Sequence, residues 1–260
     1  MSQDKESQFA ILVSLIARLR APEGCPWDKK QTHQSLRRHL LEECYEVLEA
    51  LDESDSAKLC QELGDLLMQI VLHAQIAAEQ GEFELADVLR NINTKLVRRH
   101  PHIFGSFRVK DADEVAHNWE ALKQEERGSD SMLASVPKDM PSLAYSQAIQ
   151  RRVAQVGFDW ETTEGVIEKL AEEIAEYRRE ESQERKAHEF GDLLFTLANI
   201  ARREGIDLEA SLREANRKFY RRFAYMEELC RQRGLNFSEL SFTEQNALWE
   251  EAKKKVQEER

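Results

Sequence analysis

Carboxylates recur along this chain at helix spacing. Glu43 and Glu46 are three residues apart, as are Glu62 and Asp65, and Glu173 with Glu176 and Glu189 with Asp192 repeat the arrangement. Residues three apart on an α-helix share a face about one turn from each other. Two antiparallel helices carrying such pairs can therefore aim four carboxylates into one cleft. Four together repel and raise one another's pKa unless a cation neutralises them. All-oxygen ligation suits Mg²⁺, or Mn²⁺ in its place, rather than zinc, which favours His and Cys. Among 49 Asp and Glu residues a lone ExxE is ordinary solvated surface. These pairs stand apart because apolar residues flank them and the set occurs twice. A glycine also neighbours each second pair (Gly64, Gly191) and is expected to allow close helix approach.

Basic residues accompany the acids. Lys169 lies four before Glu173 and Arg185 four before Glu189, with His39 and Lys58 at the matching places in the first set. Simple i,i+4 ion pairing is the ordinary explanation of that spacing. Lys95 with Arg98 and Arg99, and Lys218 with Arg221 and Arg222, place cations on one helix face, where they could grip phosphate oxygens. Trp119 and Trp249 could stack on a nucleobase or belong to the core. Trp27 (in GCPWD) and Trp160 (in GFDW) could close a base pocket or staple the start of a helix. No phosphate-binding glycine loop, dinucleotide fingerprint or nucleophile elbow is present.

The elements that must position these groups read as a duplication. QELGDLL (61–67) matches HEFGDLL (188–194), LEECYEV (41–47) matches AEEIAEY (171–177), NTKLVRRH (93–100) matches NRKFYRRF (216–223), and Trp-Glu occurs at 119–120 and 249–250. The matches keep their order, at offsets of 130, 127, 123 and 130 residues. The expected division is 1–127, a linker at 128–142 where Gly, Ser and Pro collect, and 143–260. Leu40, Leu41, Cys44, Val47, Leu48 and Leu51, then Leu59, Leu63, Leu66, Leu67 and Ile70, have helical periodicity. Helices are expected near 33–51, 56–79, 84–100 and 112–127, and near 163–180, 184–204, 207–233 and 242–257. Thr32 and Thr163 are the expected N-caps, with Gly81 and Gly205 closing helices. Short turns make the first two helices of each copy antiparallel. The fold class is all-α, two tandem helical-bundle modules.

Composition narrows the partners. A net charge of −12 argues against non-specific nucleic-acid or anionic-membrane binding, which needs basic surface. The apolar stretch from Phe9 to Ala17 is too short to span a bilayer and lacks a basic leader, so no signal peptide or anchor is expected. Cys25, Cys44, Cys60 and Cys230 show no CxxC spacing and are expected to be buried free thiols of a reducing, cytoplasmic setting.

The pattern EExxE (Glu42, Glu43, Glu46) then ExxD (Glu62, Asp65), repeated as Glu172, Glu173, Glu176 then Glu189, Asp192, resembles the MazG-type nucleoside triphosphate pyrophosphohydrolases. GCPWD, VGFDW at 156–160 and the segment 218–223 extend the resemblance over nearly the whole chain. It implies an all-α fold, a homodimer, and Mg²⁺ on Glu173, Glu176, Glu189 and Asp192, with Glu43, Glu46, Glu62 and Asp65 in the other copy. It also implies nucleotide contacts at Lys169, Arg185, Lys218, Arg222 and Trp249, and at Lys95, Arg99 and Trp119. The expected reaction takes a nucleoside triphosphate and water to the monophosphate and pyrophosphate, with Glu172 or Glu42 as general base. A nucleotide- or alarmone-binding regulatory module without turnover is the alternative from another class.

Overall fold

The computed structural model describes residues 2–106, 108–111, 114–115 and 131–258. Among these there is no β-strand. The chain divides into two compact units, Met1–Lys123 and Gln124–Arg260.

In the first unit, α1 (Ser2–Arg20) and the short α2 (Pro26–Lys29) precede α3 (His33–Asp52) and α4 (Ser56–Gln80), followed by α5 (Leu85–Arg99) and the one-turn α6 (Pro101–Phe104). Thr32 starts α3 with a capping box: its hydroxyl accepts the Ser35 N–H while its own N–H donates to the Ser35 hydroxyl. Asp55 caps α4 by accepting from the N–H groups of Ala57 and Lys58. Gly81 closes α4 at φ 71°, a left-handed conformation that favours glycine. The three-residue turn between α3 and α4 makes them an antiparallel hairpin.

The second unit repeats the hairpin as α8 (Thr163–Arg179) and α9 (Gln183–Arg203), preceded by α7 (Ser142–Ala154) and followed by α10 (Leu208–Arg233) and α11 (Phe242–Glu258). Thr162, not Thr163, is the N-cap of α8, its hydroxyl accepting the Gly165 N–H. Glu204 caps α9, and Gly205 follows at φ 69°. The expected helix at 112–127, with Trp119 in it, falls almost wholly outside the described residues. Of residues 128–142, those from Leu133 to Met140 form turns and bury Val136.

Two long helices, α1 and α7, were absent from the sequence reading, as were the one-turn α2 and α6. Phe9, Leu12, Val13 and Ile16 put α1 on the core of the first unit, against Leu36, Val71, Leu72 and Ile76. On α7 the buried positions include Gln147 and Gln150, so an apolar stripe is interrupted where the helix packs. The second unit's core joins α10 to α11 through Met226, Leu229, Cys230, Leu248 and Ala252.

The helical periodicity holds with one addition, and two expectations are corrected. The periodic leucines form helices, but Leu41, Leu48, Leu51, Leu63, Leu67 and Ile70 are exposed, because the hairpin's apolar face is wider than the chain itself covers. Of the cysteines only Cys230 is buried; Cys60 is exposed on α4. Gly64 and Gly191 do not mediate helix approach within the chain, since a Cβ at either would meet nothing within 4 Å.

Candidate metal centre

Each helical hairpin gathers its acids. In the first unit, carboxylate oxygens of Glu43 on α3 and of Glu62 and Asp65 on α4 lie within 4.8 Å of one another. In the second, Glu173 and Glu176 on α8 and Glu189 on α9 do the same. Glu46 and Asp192 complete the quartets electrostatically: Glu46 acts on Glu43 and Glu62, and Asp192 acts on Glu189.

Glu62 and Glu173 are each only 6% exposed, which water-seeking carboxylates tolerate when something compensates the charge. Burial, reinforced by Glu46 and Asp65, holds the Glu62 carboxyl above its usual range. Glu43 is raised by burial and by Asp65 and Glu46, against a hydrogen bond from Gln69. Glu189 is raised by burial and by Glu176, Asp192 and Glu173. Raised pKa values across a cluster of converging oxygens mark a site short of positive charge. A hard divalent cation fits that deficit, and the all-carboxylate donor set lacks the His and Cys ligands that zinc favours.

The cations around each cluster differ. Lys169 donates to Glu173 at 2.8 Å and to Glu172 at 2.9 Å, tying two consecutive acids and staying firmly charged through those contacts. At the matching place His39 Nδ1 lies 3.1 Å from Glu42, which also accepts from Arg38 at 2.8 Å. Arg38 and then His39 hold the Glu42 carboxyl below its usual range. Arg185 turns to Glu180 at 3.9 Å and Lys58 to Glu49 and Glu53 at 2.6 and 3.0 Å, so the simple i,i+4 pairs with Glu189 and Glu62 do not form. The hairpin turn presents acids that compete for both cations.

The remaining predicted contacts sit on later helices. Lys95 is exposed and Arg99 half-buried on α5. Lys218 and Arg222 are half-buried on α10, and neither makes an ion pair with the acids of the cluster. The Arg222 guanidinium lies 5.5 Å from the centre of the Trp249 ring, and Phe219 lies 5.3 Å from the same ring. Trp249 is thus engaged on the core of α10 and α11, with an arginine on its face. The buried Nε of Arg222 has no hydrogen-bond partner. Trp119 lies outside the described residues.

Comparison with known proteins accounts for the doubled cluster. The model of the MazG nucleotide pyrophosphohydrolase domain matches residues 31–104, which contain the whole first quartet. A Thermotoga maritima nucleoside triphosphate pyrophosphohydrolase/pyrophosphatase MazG is 45% identical over 248 residues, covering 94% of this chain and 95% of that protein. This chain belongs to the MazG family. An Escherichia coli nucleoside triphosphate pyrophosphohydrolase is 41% identical over 257 residues, covering 95% of this chain and 98% of its own length. The Bacillus subtilis protein YabN is 46% identical over 252 residues but is matched over 52% of its length. MazG membership thus extends over both units, in agreement with the repeated acids. No helix among the described residues is long and apolar enough to cross a membrane.

Proposed function

We propose that this MazG-family chain hydrolyses nucleoside triphosphates to monophosphates and pyrophosphate, with Mg²⁺ held by the carboxylates and the second unit doing most of the chemistry. The observation that carries this reading is the cluster of Glu173, Glu176 and Glu189, with Glu173 buried and Lys169 fixed on its edge. The curated relatives are named for the same reaction class.

Glu173, Glu176, Glu189 and Asp192 would hold the cation, with Glu43, Glu46, Glu62 and Asp65 as the second set. When bound, a divalent cation supplies Lewis acidity toward the phosphates and lowers the pKa of water. Glu172 is exposed and adjacent in sequence to Glu173, so it serves as general base, taking the proton from the water that attacks the α-phosphorus. Lys169 orients Glu172 through its 2.9 Å contact and adds positive charge at the cluster's rim. Lys218 and Arg222 offset the charge developing on the departing pyrophosphate, and Arg185, exposed at the hairpin turn, swings from Glu180 to the phosphates. Trp249 acts by holding the Arg222 guanidinium in place.

In the first unit, Glu42 is committed to Arg38 and His39, so it is the weaker base, and Lys58 is committed to two carboxylates. Lys95, Arg99 and Trp119 would contact nucleotide there. Losing one charge-assisted contact in a transition state costs about a hundredfold in rate. Glu173→Ala or Asp192→Ala should therefore remove most turnover, while Glu43→Ala or Asp65→Ala should leave much of it. Turnover numbers of the four variants, each checked by circular dichroism, decide the matter. Equal and near-complete loss in folded variants of both units removes the assignment to the second.

The protein works as a homodimer in the cytoplasm. Tyr45 joins Leu41 and Leu48 on α3, and Leu63, Leu67 and Ile70 line α4, all exposed at i, i+4, i+7 spacing. Ile167, Ile174, Phe190, Leu194 and Leu197 repeat that face on α8 and α9. Apolar faces this long are interface surfaces. Sedimentation should give the mass of two chains; a monomer at micromolar concentration removes the dimer.

A further inference from the structure

The two hairpins hold the matching glutamates of α3 and α8 in different ways. In the second unit Lys169, one turn earlier on the same helix, bonds Glu173 at 2.8 Å. In the first unit the matching His39 turns to Glu42, and Glu43 takes a hydrogen bond from Gln69 on the facing helix. A neutral amide thus does for Glu43 what an ammonium does for Glu173.

Gln69 belongs to the acid face of α4. Glu62, Asp65 and Gln69 fall at i, i+3 and i+7, so the amide follows the two acids along one side of the helix. Oxygens of Glu43, Glu62 and Asp65 lie within 4.8 Å of one another, and the amide is bonded to the first of these residues. Gln69 is 5% exposed, and its near neighbours Val71 and Leu72 belong to the core. A leucine there would fill the volume and leave no polar atom to satisfy. At the 127-residue offset the second unit has Thr196, which is shorter and carries no amide.

Half of that amide has no use within the protein. Its N–H group is engaged by Glu43, whereas Oε1 is buried and finds no partner. A buried acceptor left unpaired is destabilising. Both atoms are carried by one carbon, so the acceptor lies beside the Glu43 carboxylate. Ionised carboxylates only accept hydrogen bonds, so the acids of the cluster offer Oε1 nothing. The oxygens of a phosphate carry the same deficiency. A hard cation such as Mg²⁺ keeps several of its waters when carboxylates bind it, and those waters donate. Cation-bound water is therefore the complement that fits both the acids and the amide.

We propose that Gln69 is a positioning residue of a divalent-cation site in the first unit: its N–H group orients Glu43 toward the cation, and its Oε1 accepts a hydrogen from cation-bound water. This rests on the reading of the acid clusters as cation sites, and it gives the first unit a site that fills without nucleotide. The test counts Mn²⁺ bound to the full chain by electron paramagnetic resonance, with no nucleotide present. In Glu176→Ala/Glu189→Ala only the first cluster is intact, and Mn²⁺ should still bind. Adding Gln69→Met, which roughly keeps the length of the side chain and removes both polar atoms, should weaken that binding by about tenfold or more, the usual effect of removing an outer partner of a metal ligand. Water-proton relaxation at matched occupancy should show faster exchange of the bound water, which a packing defect alone does not produce. Gln69→Leu supplies a second reading if the methionine is not accommodated, and circular dichroism confirms that each variant is helical. Undiminished affinity in a folded variant, or weaker binding with water exchange unaltered, overturns the proposal. So does a failure of Glu176→Ala/Glu189→Ala to bind Mn²⁺ while Glu62→Ala/Asp65→Ala binds it, a result that leaves the hydrolytic reading of the second unit standing. No Mn²⁺ on the unaltered chain sinks the cation reading of both units.

Discussion

At the residue scale, the two units differ in what each acid is bonded to. Glu172 keeps one basic partner, Lys169, whereas Glu42 is shared by Arg38 and His39. A second pair of titrating groups lies away from the acids. His33 and His73 stack with ring centres 5.1 Å apart and Nδ1 atoms 2.7 Å apart, a contact that requires one ring to present a lone pair. Burial, and then the charge of His33, holds His73 below its ordinary 6.5. Glu82 lies 4.0 Å from His33. The unfolded chain therefore binds more protons than the folded one as pH falls beneath 6.5. This contribution to stability is complete above that value and is lost as pH falls through the lowered His73 pKa. Melting temperatures between pH 7.5 and 5 should drop less in His73→Gln than in the parent. An identical drop would show that the pair does not titrate in this way.

At the element scale, the first hairpin was legible because leucines at 3–4 spacing, Thr32 and Gly81 agree on where α3 begins and α4 ends. The convergence of Glu43, Glu62 and Asp65, and of Glu173, Glu176 and Glu189, was legible for the same reason: once helix and antiparallel turn are fixed, three-residue spacing decides the face. What could not be read was orientation of flexible cations, since Glu180 draws Arg185 and Glu53 draws Lys58 across the turn. The helix α7 was hidden by its buried glutamines, whose bonds to Ile206, Leu208 and Phe195 replace apolar packing. Phe9, Leu12, Val13 and Ile16 lie at the helix spacing that places α1 on the core of the first unit. The glycines of the hairpins give a clean test of local helix energetics. With open space at both Cβ positions, Gly64→Ala and Gly191→Ala should each stabilise the chain by about 1 kcal/mol in urea unfolding. A loss of stability would mean that another surface closes on the helix there.

At the scale of the whole molecule, duplication has produced two acid clusters and unequal surroundings. One hairpin is backed by α1, with aliphatic packing where the other has a cavity. The apolar faces of both hairpins are exposed, and the proposed dimer would cover them and shield the acid clusters from water. In the proposed reaction, water attacks the α-phosphorus and pyrophosphate leaves intact. It is tested most directly by turning over ATP with Mg²⁺ in ¹⁸O-labelled water and locating the label by mass spectrometry. Label is expected in AMP, with pyrophosphate unlabelled; label in orthophosphate, with ADP as the co-product, would rule that reaction out.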